Sequence, residues 1–159
     1  MKMFRTITTA VLTLAIAAAG SIHAAPAGTS TAHQLVVIKM DIDFRPHTRS
    51  TFGKIEGYEP AEVHVNMGDK IQWVNVDDEV HTATGMSYTG DTVPANYKFQ
   101  GDFTKPHGNV IDASEWGTGN VRAHGGKSPV FVAKQVGHYF YACGYHLGIG
   151  QIGVIVVGP

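Results

Sequence analysis

GHYFYACGYHLGIGQIGVIVV, residues 137–157, holds the single Cys of the chain between two strand-like runs. HYFYAC alternates with a period of two, which puts Tyr139, Tyr141 and Cys143 on one face and His138 and Phe140 on the other. QIGVIVV is a β-branched run that continues to the C-terminus. Cys143 therefore stands at a strand end. Two residues, Gly144 and Tyr145, separate it from His146, so thiol and imidazole face each other across a tight loop and both can reach one ion. Alone, C-x-x-H is a weak signal, because a lone Cys more often packs as a small hydrophobe.

Working outward, the same pattern of short strands and turn residues repeats. QLVVIKMDIDF (34–44) alternates, residues 45–57 read as a loop, and AEVHVNM (61–67) and KIQWVNV (70–76) flank the turn signal Gly68-Asp69. That pair reads as a hairpin or as a tight connection between two sheets. PVFVAKQ (129–135) resumes the strands after a stretch from 80 to 129 with eight Gly, three Pro and no sustained period. A short helical turn is expected there around 111–116. Loops of such length in a compact domain are usually functional or mobile. With no long amphipathic helix, the class is all-β, an antiparallel sandwich or barrel. Trp73, Tyr139 and Tyr141 read as its core.

The N-terminus has another character. Lys2 and Arg5 precede a 14-residue apolar run (7–20) and the small residues SIHAAPAG. These are the three parts of a secretory signal peptide, and the run is short for a transmembrane helix. The expected organisation is a signal over 1–24, cleaved near Ala24 or Ala25, a flexible arm over 25–33 and one domain over 34–159, with 82–128 as a long insertion. That implies export, to the periplasm, without a membrane anchor after cleavage. Losing Lys2 and Arg5 from the 12 basic residues leaves 10 against 13 acidic, net −3. No basic excess remains for nucleic acid. A mature chain of about 135 residues buries roughly two-thirds of its unfolded surface and needs no staple. One Cys excludes a disulfide framework; in an oxidising compartment it is buried, paired with another chain, or held by a metal.

Nine His beside that Cys make metal binding the chemistry to examine. The best second imidazole is His81 in WVNVDDEVHTATG (73–85), just past the third strand. His81, His146 and Cys143 make a trigonal His₂Cys set, the donor set of a blue-copper electron-transfer site, whose fourth donor is weak and axial. Gln151, five residues after His146, stands where that donor is expected; Met86 and the carbonyl of Val80 are its rivals. The same three residues with another His could hold Zn²⁺ tetrahedrally. Asp77, Asp78 and Glu79 read as a solvated turn beside the site that attracts cationic partners.

Over 59–157 the chain resembles the cupredoxin family, of the plastocyanin and pseudoazurin type. The likeness is strongest in EPAEVHVNMGDKIQWVNVDDEVHT (59–82) and in 137–157. The resemblance implies a Greek-key β-sandwich with copper near one end. It implies His81 and His146 as imidazole ligands, Cys143 as thiolate and Gln151 as axial donor, with His146 nearest solvent. Two departures stand out: Thr82 follows the first His where the family often has Asn, and the stretch from His81 to Cys143 is long. An amide oxygen in place of a thioether favours Cu(II), so a lower potential and a shift from blue towards green are expected. The implied role is a monomeric one-electron carrier serving a redox partner protein. The alternative is a copper-tolerance protein of the green cupredoxin type, taking Cu(I) from a donor, oxidising it or binding extra copper. The spare His33, His47, His64, His107, His124 and His138 would then be further copper sites. The sequence offers no paired second centre, which counts against a catalytic copper enzyme.

Overall fold

The apolar runs, alternating in Leu35–Met40, Glu62–Asn66 and Lys70–Asn75 and continuous in Ile152–Gly158, form long strands, and these assemble into two facing sheets. The computed structural model describes residues 32–45, 55–87, 96–112 and 115–159. The expected signal, nearly all of the expected arm, His47 and most of the 45–57 loop lie outside the described residues. The first sheet contains β1 (Leu35–Met40), β2 (Tyr58–Glu59), β4 (Lys70–Asn75), β7 (Val110–Ile111) and β9 (Phe131–Ala133), in the order β2-β1-β4-β9-β7. The second contains β3 (Glu62–Asn66), β5 (Thr84–Gly85), β6 (Pro106–His107), β8 (Gly117–Thr118), β10 (Gly137–Ala142) and β11 (Ile152–Gly158), in the order β3-β11-β10-β5-β8-β6. The protein is an all-β sandwich.

The turn at Gly68-Asp69 is the connection between sheets, not a hairpin, since β3 and β4 belong to different sheets. Gly68 takes φ +91°, open to glycine at little cost. β4 pairs in parallel with β1 and β3 in parallel with β11. The sheets are thus mixed rather than purely antiparallel, consistent with Greek-key winding. Turn signals mark where strands end and say nothing of which strand lies beside which. Asp69 secures the corner: its carboxylate accepts the Asn66 N–H at 2.8 Å and the Gln34 N–H at 2.9 Å. The Asn66 N–H is the main reason its carboxyl lies below the usual range; burial opposes that, and Gln34 adds to it.

Trp73 is the hub of the core. Its ring stacks on Trp116 at 5.5 Å and meets Phe131 and Tyr141 edge-on at 5.5 and 5.4 Å. Tyr139 packs at the margin of this cluster. Trp116, Ile111 and Val121 come from the long insertion expected over 82–128, and all three are buried in the core. That stretch supplies β5, β6 and β8 to the second sheet and β7 to the first. Two-residue strands have no room to express a period, which hid them in the sequence. Ile111, placed in the expected helical turn, lies in β7; residues 113–114 of that turn are outside the described residues.

A second apolar cluster covers the outer side of the second sheet: Phe140, Ala142, Ile152, Val154, Ile55, Ala61 and Met86, with Tyr97, Phe99 and Leu147 against it. Phe140 is therefore buried although it faces away from the main core. Ile155 and Val157 point into that core, so β11 is covered on both faces, and its run is apolar throughout rather than alternating.

Asp69→Ala is expected to lower stability at neutral pH by about 1–3 kcal/mol, because two backbone N–H groups lose their acceptor. A carboxyl held low on folding stabilises above its unfolded pKa, and that contribution is lost as pH falls through the folded value. Denaturant unfolding of both proteins down the acid range should show the gap closing.

Candidate metal centre

Cys143 follows directly on β10 and Gln151 directly precedes β11, so the antiparallel pairing of those strands (Ala142 opposite Ile152) closes the loop between them. The Cys143 N–H donates to the Gln151 carbonyl at 3.1 Å, and the Gln151 N–H to the His146 carbonyl at 3.2 Å. A single 3-10 turn, Leu147–Ile149, fills the space and ends at Gly150 with φ +99°. One short loop thus carries Cys143, His146 and Gln151. His81 comes from the segment leading into β5, the strand beside β10 (Thr84 opposite Ala142), and it exchanges backbone bonds with Val121 at 3.3 and 2.8 Å. The buried Asn75 amide donates to the carbonyls of Glu79 and Val121, pinning both strands of that loop.

Thr82 ties the two loops together. Its N–H points at the Cys143 sulfur at 3.4 Å, its hydroxyl accepts the Gly144 N–H at 2.9 Å, and its carbonyl accepts the Tyr58 hydroxyl at 2.7 Å. Thr82 is thus the bracing residue at the position after the first candidate His ligand.

The donor atoms converge. Cys143 Sγ lies 3.8 Å from His81 Nδ1 and 3.5 Å from His146 Nδ1, and the two nitrogens are 3.1 Å apart. Gln151 Oε1 lies 3.1 Å from His146 Nδ1, and its amide nitrogen donates to the Gly57 carbonyl at 3.0 Å, which turns the oxygen inward. Met86, the rival axial residue, belongs to the outer apolar cluster. His81, Cys143 and Gln151 are buried, and only His146 among the four keeps an exposed edge, with 17% of its side chain accessible.

On the far side of each ring stands a carboxylate. Asp77 Oδ2 is 2.7 Å from His81 Nε2, and Glu79 Oε2 is 3.2 Å from His146 Nε2. Asp77 is not the solvated residue the sequence indicated. Burial pushes its carboxyl up, but the Ile42 N–H, His81 and the Asp78 N–H outweigh this and hold it at about 2. Burial works against a charge on His81, yet Cys143 and Asp77 raise it overall. Burial also pushes the Cys143 thiol up; His81, the Thr82 and Tyr145 amides and His146 bring it down to about 7. Thiolate is therefore accessible near neutrality, as a metal ligand requires. Sequence reasoning passed over Asn75, read Asp77 as solvated and met Thr82 only as a departure from the family pattern; the one local signal for Asp77 was its place four residues before the candidate ligand His81.

One thiolate and two imidazoles, with an amide oxygen as the fourth donor, fit copper. Among the described residues this is the one group of three His, Cys, Asp or Glu able to hold a metal, and it includes no further His of the kind tetrahedral zinc would need. The spare imidazoles are dispersed: His33 lies by Asp69, His64 by Glu62 and His124 by Asp78.

A family model for copper binding proteins of the plastocyanin/azurin family matches residues 47–158, and the chain belongs to that family. No curated protein sequence matches it. Among solved structures it is similar to a purple cupredoxin from Nitrosopumilus maritimus, 18% identical over 77% of this chain and 98% of that one, TM-score 0.47. A pseudoazurin from Sinorhizobium meliloti is 22% identical over 79% and 75%, TM-score 0.44. An amicyanin variant in its Cu(I) form is 18% identical over 78% and 82%, TM-score 0.43.

Asp77→Ala should weaken copper binding by about ten- to a hundredfold, since His81 loses the partner that fixes its ring. Competition against a chelator of known affinity measures this.

Proposed function

We propose that the protein is an exported one-electron carrier, working in the periplasm as a monomer, with one copper held by His81, Cys143 and His146 and with Gln151 as axial donor. The observation that carries this reading is the convergence of two Nδ1 atoms and one sulfur in a buried pocket from which a single ring reaches the surface. Copper in such a site supplies a Cu(I)/Cu(II) couple. The protein's part is to keep the donors in place through both states, and two loops tied at Thr82 and closed by strand pairing supply that rigidity. The exposed edge of His146 is where a redox partner comes nearest the centre. Tyr145 and Ile149 in the same loop offer that partner apolar contact, and the exposed Asp78 and Glu79 favour a cationic one.

The second reading is copper tolerance, with Cu(I) as the incoming species and extra copper on the spare His. The nine His and the amide in place of a thioether favour it. The dispersal of the described imidazoles counts against it.

Loading the mature protein with Cu(II) should produce an intense thiolate charge-transfer band in the visible and a matching EPR signal, both absent in Cys143→Ser. A colourless metal complex would sink the reading. Gln151→Met should raise the reduction potential and move the colour towards blue, because a thioether favours Cu(II) less than an amide oxygen does. Titration past one equivalent separates the two roles: a carrier saturates at one tightly held copper, and a tolerance protein takes more.

A further inference from the structure

Asp77, Asp78 and Glu79 form one turn, and its acidic side chains go three different ways. Asp77 meets His81 Nε2 at 2.7 Å, Glu79 meets His146 Nε2 at 3.2 Å, and Asp78 pairs with His124 at 3.5 Å. Both candidate ligand rings therefore turn Nδ1 to the donor group and Nε2 to a carboxylate, hydrogen-bonded for His81 and at ion-pair distance for His146. The two carboxylates come from one turn although the two rings come from loops 65 residues apart. Glu79 is exposed over 66% of its side chain, but its backbone is fixed, because its carbonyl accepts the Asn75 amide at 2.7 Å.

We propose that Glu79 is a positioning residue of the metal centre, the counterpart on His146 of Asp77 on His81. An imidazole can present either nitrogen, and a free ring at the surface can turn away from an ion. A carboxylate that accepts from Nε2–H selects the tautomer with its lone pair on Nδ1 and holds the ring towards Cys143 and His81. It also makes the ring a stronger donor and adds a negative charge near the centre, which favours the higher metal charge. Glu79 thus lowers the reduction potential and slows loss of the ligand that lies nearest solvent. Its exposure makes the charge effect smaller than that of Asp77, and sensitive to salt.

The redox half of this inference rests on the reading of the site as a copper centre; the orientation half does not. Two measurements on Glu79→Gln, Glu79→Ala and the control Asp78→Asn separate them. Long-range ¹H–¹⁵N NMR of the metal-free proteins reads the His146 tautomer. The wild type and Glu79→Gln, which keeps an acceptor, should show Nε2–H, and Glu79→Ala a mixture. On the copper-loaded proteins, Glu79→Gln should raise the midpoint potential by more than Asp78→Asn does, and Glu79→Ala should lower copper affinity about tenfold or more. An unchanged tautomer in Glu79→Ala, with a potential shift no larger than that of Asp78→Asn, would overturn the proposal and leave Glu79 as general surface charge. Absence of a thiolate band in the wild type would defeat the copper reading, while the tautomer measurement would still decide whether Glu79 positions His146.

Discussion

Two imidazole nitrogens and a sulfur, held 3.1 to 3.8 Å apart, form an arrangement that no local sequence preference favours. The polypeptide has to impose it, and much of the fold can be understood as the means of doing so. Pairing of β10 with β11 closes the Cys143–Gln151 loop. The exchange between His81 and Val121 fixes the opposing loop. Thr82 then joins the two loops through the sulfur and the Gly144 amide. Each link is a backbone hydrogen bond or a bond from a short, stiff side chain, so little slack exists between the sheet registers and the donor atoms.

Burial and charge are balanced around the same atoms. Burying the thiol opposes its ionisation, and the neighbouring ring and amide N–H groups reverse that. The carboxylates stand on the remote nitrogens of the rings, where they orient them without occupying a donor position. One side of the centre is sealed by Thr82 and Tyr58, and the other opens at a single imidazole edge. The Cys143 sulfur itself is fully buried.

The long stretch between His81 and Cys143 is part of this construction rather than an appendage. It places Trp116 against Trp73 in the core, Val121 against the backbone of His81, and Phe103 over Gly144, where an added Cβ would come within 2.2 Å of the ring. Shortening it would remove core, ligand support and the cover of the Cys143 loop together.

Much of this was legible in the chain. Alternation in 34–44, 61–67, 70–76 and 138–143 marked the long strands, because a sheet with one buried face demands a period of two. The lone Cys at a strand end with His146 three residues on, His81 after a strand and Gln151 before the last one marked the candidate donors, and the fold brings His81, Cys143 and His146 together. Tertiary structure decided what spacing cannot encode. The parallel pairing of β1 with β4 and of β3 with β11 joins segments far apart in the chain, which no local spacing encodes. The two-residue strands of the excursion exist only through pairing with other segments, β5 with β10, β7 with β9, and β8 with β5 and β6. The roles of Thr82, Asp77 and Glu79 depend on groups brought near by the fold, so a turn that reads as three solvated acids became the support of two rings.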